Sequence, residues 1–136
     1  MQTFAYPLSG IVSLFALSVY FVVTLNVARA RVTYNVPAPQ TSGPDEFLRY
    51  FRVHMNTLEQ MALFLPLLWL AATSVNDGLA AAVGICWPVG RIIYARAYYR
   101  DPAKRAPGFI VGMATCFILA ALAVTGVLSA FIGSFY

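Results

Sequence analysis

Charge is what this chain lacks most. Nine basic and five acidic side chains in 136 residues make it 10% charged, against roughly 25% in an average soluble domain. It has one histidine and two cysteines, Cys86 and Cys116, in separate apolar segments. That set provides neither the ligand spacing of a zinc site nor a Cys-x-x-Cys pair, so no metal is expected and both cysteines read as small buried hydrophobes. No segment alternates apolar and polar residues with a period of two, which argues against a closed barrel. The few basic residues flank apolar runs instead of forming a soluble patch, so no nucleic acid is expected as a partner.

What remains is strongly apolar. The chain is 60% hydrophobic and 15% aromatic, with a mean hydropathy of +0.73, the profile of an integral membrane protein. Four apolar segments, near residues 6–28, 46–73, 78–99 and 107–135, each exceed the ~20 residues needed to cross ~30 Å of hydrocarbon as a helix. The first has no basic residue before it and outlasts the apolar core of a signal peptide, so it reads as a retained span. The expected fold is all-α: a bundle of four transmembrane helices forming a single domain over residues 1–136. Pro37, Pro39, Gly43 and Pro44 break the first connection, residues 74–77 make a tight second one, and Pro107 suits the first position of the last helix. Pro66 and Pro88 are expected to bend the second and third spans. Gly108 and Gly112 form a GxxxG, and Ala80, Ala81 and Gly84 give the third span a small-residue side; both patterns favour close helix contacts.

The basic residues fix an orientation. Arg29, Arg31, Arg49, Arg52, Arg91, Arg96, Arg100, Lys104 and Arg105 all fall on, or point toward, the side of the first and third connections. By the positive-inside rule that side is cytoplasmic, and both termini lie across the membrane.

Two polar stripes interrupt the apolar pattern. At about 100° per residue, Arg52, Asn56 and Glu59 fall within roughly 60° on the second span. Arg91, Tyr94 and Tyr98 do the same on the third. Ionisable groups at membrane depth are costly and persist mainly where they face a bundle interior or a wet cavity. The tight turn makes the two spans antiparallel neighbours. Counting about fourteen residues from it puts Glu59 level with Arg91, and Arg52 near Tyr98, at ~1.5 Å per residue. The stripes can therefore share a pocket at the basic end, with Lys104 and Arg105 at its mouth. Arginines provide planar forks for carboxylates, Glu59 can take an ammonium, and Asn56 and the tyrosines supply further hydrogen bonds. A small zwitterion with excess carboxylate, such as glutathione, fits that inventory. The competing reading is an Arg52–Glu59 pair that only fixes helix register. His54 lies off the stripe and reads as structural or solvent-facing, Arg96 and Arg100 as snorkelling interfacial charges, and Trp69 and Tyr99 as packing or interface residues.

The segments GPDEFLRYFRVHMNTLEQMALFLPLLWLAA and GRIIYARAYYRDPAKRAP, in this order and spacing, resemble the MAPEG family, the membrane-associated proteins of eicosanoid and glutathione metabolism. Within it they look most like the bacterial or general microsomal glutathione transferase branch. The resemblance implies a homotrimer with glutathione bound between subunits. It implies Arg52, Asn56, Glu59, Arg91, Tyr94 and Tyr98 as glutathione contacts, Arg105 as the catalytic arginine that stabilises the thiolate, and Arg31 as a further contact, although its usual basic neighbour is here Val32. Gln60 replaces a tyrosine found in the eicosanoid-specialised branch. The activity implied is conjugation of glutathione to lipophilic electrophiles, with reduction of lipid hydroperoxides as a second reaction. The alternatives are a non-catalytic lipid-binding or scaffold protein of the same architecture and a small transporter, the latter without the inverted repeats such folds carry.

Overall fold

The computed structural model describes residues 4–135 and is helical throughout apart from its connections. Helix α1 (Pro7–Thr33) is followed by α2 (Asp45–Ser74), α3 (Asp77–Gly84), α4 (Cys86–Arg100), a single 3-10 turn (Pro102–Arg105) and α5 (Ala106–Gly133). Helices α3 and α4 together form the third of four antiparallel passes, so the four-helix bundle expected from the sequence is the observed one. Three passes, Pro7–Thr33, Asp77–Arg100 and Pro102–Gly133, are long and apolar enough to cross a membrane. Helix α2 is equally long, at 30 residues, but its first half carries the polar stripe.

The break between α3 and α4 falls at Ile85, earlier than the expected bend at Pro88 itself. Proline lacks an N–H and crowds the carbonyl four residues before it, here that of Gly84. The helix therefore ends at Gly84 and restarts at Cys86. Pro66 sits inside α2 without dividing it. Pro107 stands second in α5, after Ala106, within the first turn where a missing donor costs nothing.

Packing follows the small residues. On α1 the buried positions are Ser9, Val12, Ala16, Val19, Val23, Val27 and Ala30, the three- and four-residue steps of a coiled-coil seam. Phe64 and Trp87 stack with centroids 4.5 Å apart at the centre of the bundle. The GxxxG does bring helices together: a Cβ on Gly108 would collide with the backbone nitrogen of Tyr94, and one on Gly112 would lie 2.9 Å from Gln60 Oε1. Gly84 likewise admits Leu68. Of the cysteines, Cys116 is buried as expected, but Cys86 is exposed, on the outward face it shares with Ala82, Ile85, Val89 and Ile93.

The two ends differ. At one, Asp77 accepts hydrogen bonds from the backbone N–H groups of Leu8 (3.0 Å) and Ser9 (2.9 Å), capping α1 with the start of α3. At the other, Arg49 Nη1 donates to the carbonyls of Tyr99 (3.4 Å) and Arg100 (3.1 Å), tying the start of α2 to the end of α4. The second end carries the basic residues.

Candidate active site

Helices α2 and α4, the 3-10 turn and the start of α5 enclose a cleft of about 700 Å³ at the basic end. Arg52, Asn56 and Glu59 line it from α2, and Tyr94 and Tyr98 from α4. Five of the six stripe residues therefore meet in one cavity. Arg105 joins them from the end of the 3-10 turn, with Phe109 one turn further along α5. Six of the eight residues expected at a site thus share one cavity.

Gly108 makes this possible. Without a Cβ it lets α5 rest on the backbone of α4 at Gly90 and Tyr94, and the preceding turn then folds across the cleft mouth. Asp101 shapes that turn by accepting from Ala103 N at 3.0 Å. Arg105 stacks its guanidinium over the Tyr98 ring at 5.7 Å and donates to the Pro102 carbonyl at 3.4 Å. It stands immediately before the α5 amino terminus, whose unpaired N–H groups add positive potential at the same place. Lys104 points elsewhere and forms an exposed ion pair with Asp101 at 3.8 Å, a contact of little energetic weight.

Arg91 is the residue whose position most departs from expectation. It does not line the cleft; it is 0% exposed. Its Nη2 donates to Asn56 Oδ1 at 3.1 Å and to Thr57 Oγ1 at 2.9 Å, and its guanidinium covers the Tyr94 ring at 4.0 Å. Arg91 meets α2 within one turn of the expected level, at Asn56 and Thr57 rather than at Glu59. Arg91 thus orients Asn56 and Tyr94 from behind. Among the described residues its Nε and Nη1 have no hydrogen-bond partner and no carboxylate pairs with it. Two charge-assisted hydrogen bonds and the cation–π contact together offset much of the several kcal/mol that burying an ion costs.

Arg52 and Glu59 do not pair among the described residues either; both are exposed to the cleft side. The register-fixing alternative therefore has no ion pair to rest on. The cleft offers two guanidinium groups on its walls, a third behind, one carboxylate, one amide and two phenols. This is complementary to a small solute with more negative than positive groups.

Arg31 lies outside the cleft of its own chain. Its Nη1 donates to the carbonyls of Gln40 (2.7 Å) and Val36 (3.4 Å), and the guanidinium sits 5.3 Å from the Phe47 ring, so it anchors the first connection. His54 is structural: its Nε2 shares a 3.0 Å hydrogen bond with the Tyr20 hydroxyl while the rings stack. Tyr99 stacks on Tyr50 and accepts from Asn26, and Trp69 donates to Ser13. Thr57 escaped the stripe reading because it lies about 100° from Asn56 on the helix. Only its contact with Arg91 reveals it.

Fold and cleft define a helical membrane protein with a polar, electropositive site let into its basic end. A model of the MAPEG family matches residues 9–125, and the chain belongs to that family. It is 36% identical over 116 residues to leukotriene C4 synthase of Rattus norvegicus, covering 85% of this chain and 76% of that one. It is 35% identical over 109 residues to microsomal glutathione S-transferase 2 of Mus musculus, covering 80% and 74%. An uncharacterised protein of Synechocystis sp. is 42% identical over 119 residues, covering 88% and 87%.

Proposed function

We propose that the protein transfers glutathione to lipophilic electrophiles. The observation that carries this reading is the convergence of Arg52, Asn56, Glu59, Tyr94, Tyr98 and Arg105 on one cleft, in a family whose relatives bear glutathione-transferase and leukotriene-synthase names. The carboxylates of glutathione meet Arg52 and the field of Arg91, its ammonium meets Glu59, and Asn56, held by Arg91, bonds its amide groups. The sulfur lies by Arg105 and Tyr98. A free thiol has a pKa of about 8.5; the guanidinium and the α5 amino terminus favour the thiolate and lower that value.

The chemistry follows from a positioned thiolate. The thiol proton leaves to solvent at the open cleft mouth. The sulfur lone pair forms a C–S bond to the electrophilic carbon, and the leaving group departs with its bonding electrons. With a lipid hydroperoxide, sulfur attacks the terminal oxygen and breaks the O–O bond, giving an alcohol and a sulfenic acid. A second glutathione converts the sulfenic acid to disulfide and water. The acceptor enters sideways from the bilayer past Phe109, which keeps bulk water from that side of the sulfur.

In this reading the active unit is a homotrimer with glutathione between subunits. The support is that Arg52 and Glu59 stay exposed on a helix otherwise at membrane depth, an arrangement a neighbouring subunit would cover. Arg31, occupied by a loop in its own chain, enters only from an adjacent subunit. The basic end faces the cytoplasm and both termini lie across the membrane.

Glutathione-dependent turnover of an aryl halide by the purified protein in detergent tests the activity. For Arg105, the ultraviolet absorbance of the thiolate is followed against pH with glutathione bound. Arg105→Ala should raise the midpoint and lower turnover by on the order of 10²–10³-fold. An unmoved midpoint removes Arg105 from the mechanism. No thiolate at any pH with the wild-type protein would favour a non-catalytic lipid-binding role.

A further inference from the structure

A second groove, of about 370 Å³, runs between α1 and α4 and shares no residue with the cleft. Its apolar part is built by Phe15, Val19 and Val22 on α1 and Ile92 on α4; Asn26, Arg96 and Tyr99 stand at its other end. Both sets follow three- and four-residue steps, so each helix presents one continuous face. From Phe15 to Asn26 is eleven residues, about 16 Å at 1.5 Å per residue, close to half of the ~30 Å hydrocarbon core. The groove is one leaflet deep, apolar toward the membrane centre and polar toward the basic end.

Arg96 gives the groove a charge preference. It is exposed and, among the described residues, has neither a hydrogen-bond nor an ion-pair partner of its side chain. A long arginine stem lies along apolar surface while its head reaches the interface. Asn26 Nδ2 already donates to the Tyr99 hydroxyl at 3.3 Å, and this pair walls the headgroup end beside the free guanidinium.

We propose that the α1–α4 groove binds one anionic phospholipid of the leaflet at the basic end. Its phosphate lies on Arg96 and one acyl chain lies along Phe15, Val19, Val22 and Ile92. The match is in three properties at once: length of one leaflet, direction of the polarity gradient, and a positive charge with no protein partner. Helix α4 separates this groove from the cleft, turning Ile92, Arg96 and Tyr99 to the lipid and Tyr94 and Tyr98 to the site. The bound lipid therefore braces the helix that carries both tyrosines. The site does not depend on the catalytic reading.

Native mass spectrometry of the full-length protein, released from bilayers of equal phosphatidylglycerol and phosphatidylcholine, tests this. The expected result is retention of about one phosphatidylglycerol per chain in preference to phosphatidylcholine. Arg96→Gln should weaken that retention by about fivefold, as expected for one interfacial basic residue, and Arg96→Lys should largely restore it. Lys104→Gln removes the same charge from the same end and should change nothing. Equal loss with Lys104→Gln would mean general surface attraction and overturn the site, as would unchanged retention in Arg96→Gln. Val22→Trp, which fills the apolar part, should release the lipid. If Val22→Trp instead splits the oligomer, the groove is an interface between copies and the proposal fails.

Discussion

The two halves of α2 use one helix for opposite ends. In the second half, Phe64, Leu68, Ala71 and Ala72 are at most 3% exposed and meet the bundle through apolar contact alone. In the first half the corresponding face carries Asn56, Thr57 and Gln60, and Arg52 and Glu59 remain open to the cleft. The neutral end closes because small residues pack it and one carboxylate caps α1. The basic end cannot close in the same way, because guanidinium groups are bulky, charged and short of acidic partners. A cavity at that end is the physical consequence of its composition.

The comparison is broken most severely at Arg91. Arg91→Leu removes a buried charge and frees Asn56 and Thr57, so the Michaelis constant for glutathione should rise by at least tenfold. Thermal stability in detergent should change little, because Thr57 Oγ1 keeps its bond to the Val53 carbonyl and Asn56 borders the open cleft, so neither is left buried without a partner. A large loss of stability with unchanged glutathione affinity would reassign Arg91 to the fold alone.

Glycine substitutions test whether each end fails separately. Gly108→Ala sets a Cβ against the α4 backbone, and Gly126→Ala sets one against the Ser74 side chain and 2.7 Å from Val75 Cγ2. Overpacking of this kind costs about 1–3 kcal/mol, lowering the melting temperature in both. Only Gly108→Ala should also reduce turnover, since only it moves the turn that carries Arg105. Equal loss of activity in the two variants would show that the ends are coupled.

A smaller effect is expected at the neutral end. Asp77→Ala deletes both caps on α1, which should cost about 1–2 kcal/mol and leave glutathione binding unmoved in calorimetry. The smallest is Tyr20→Phe, which removes one hydrogen bond to His54 and should cost about 1 kcal/mol or less with normal activity. A collapse of activity in Tyr20→Phe would bring His54 into the chemistry.

Much of the site was legible because helix geometry is periodic. Residues at 52, 56 and 59, and at 91, 94 and 98, had to share faces once the segments were helical, and a four-residue connection had to make the segments neighbours. The bias of the basic residues toward the side of the first and third connections likewise set the polar end. The sequence also carried its own packing instructions in Gly108 and Gly112, since only a missing side chain lets two backbones touch.

Depth and orientation were decided by tertiary structure. Arg91, expected to line the cavity, is held behind it by its bonds to Asn56 and Thr57. The loop at Gln40 claims Arg31 from the last turn of α1, a contact across nine residues that no periodicity encodes. The α1–α4 groove exists only where two faces, each unremarkable alone, fail to fill the space between them. Sequence determines which side chains share a helical face, because that depends on a fixed angle per residue. Which face closes, which stays open and which arginine is buried depends on how four such helices settle against one another.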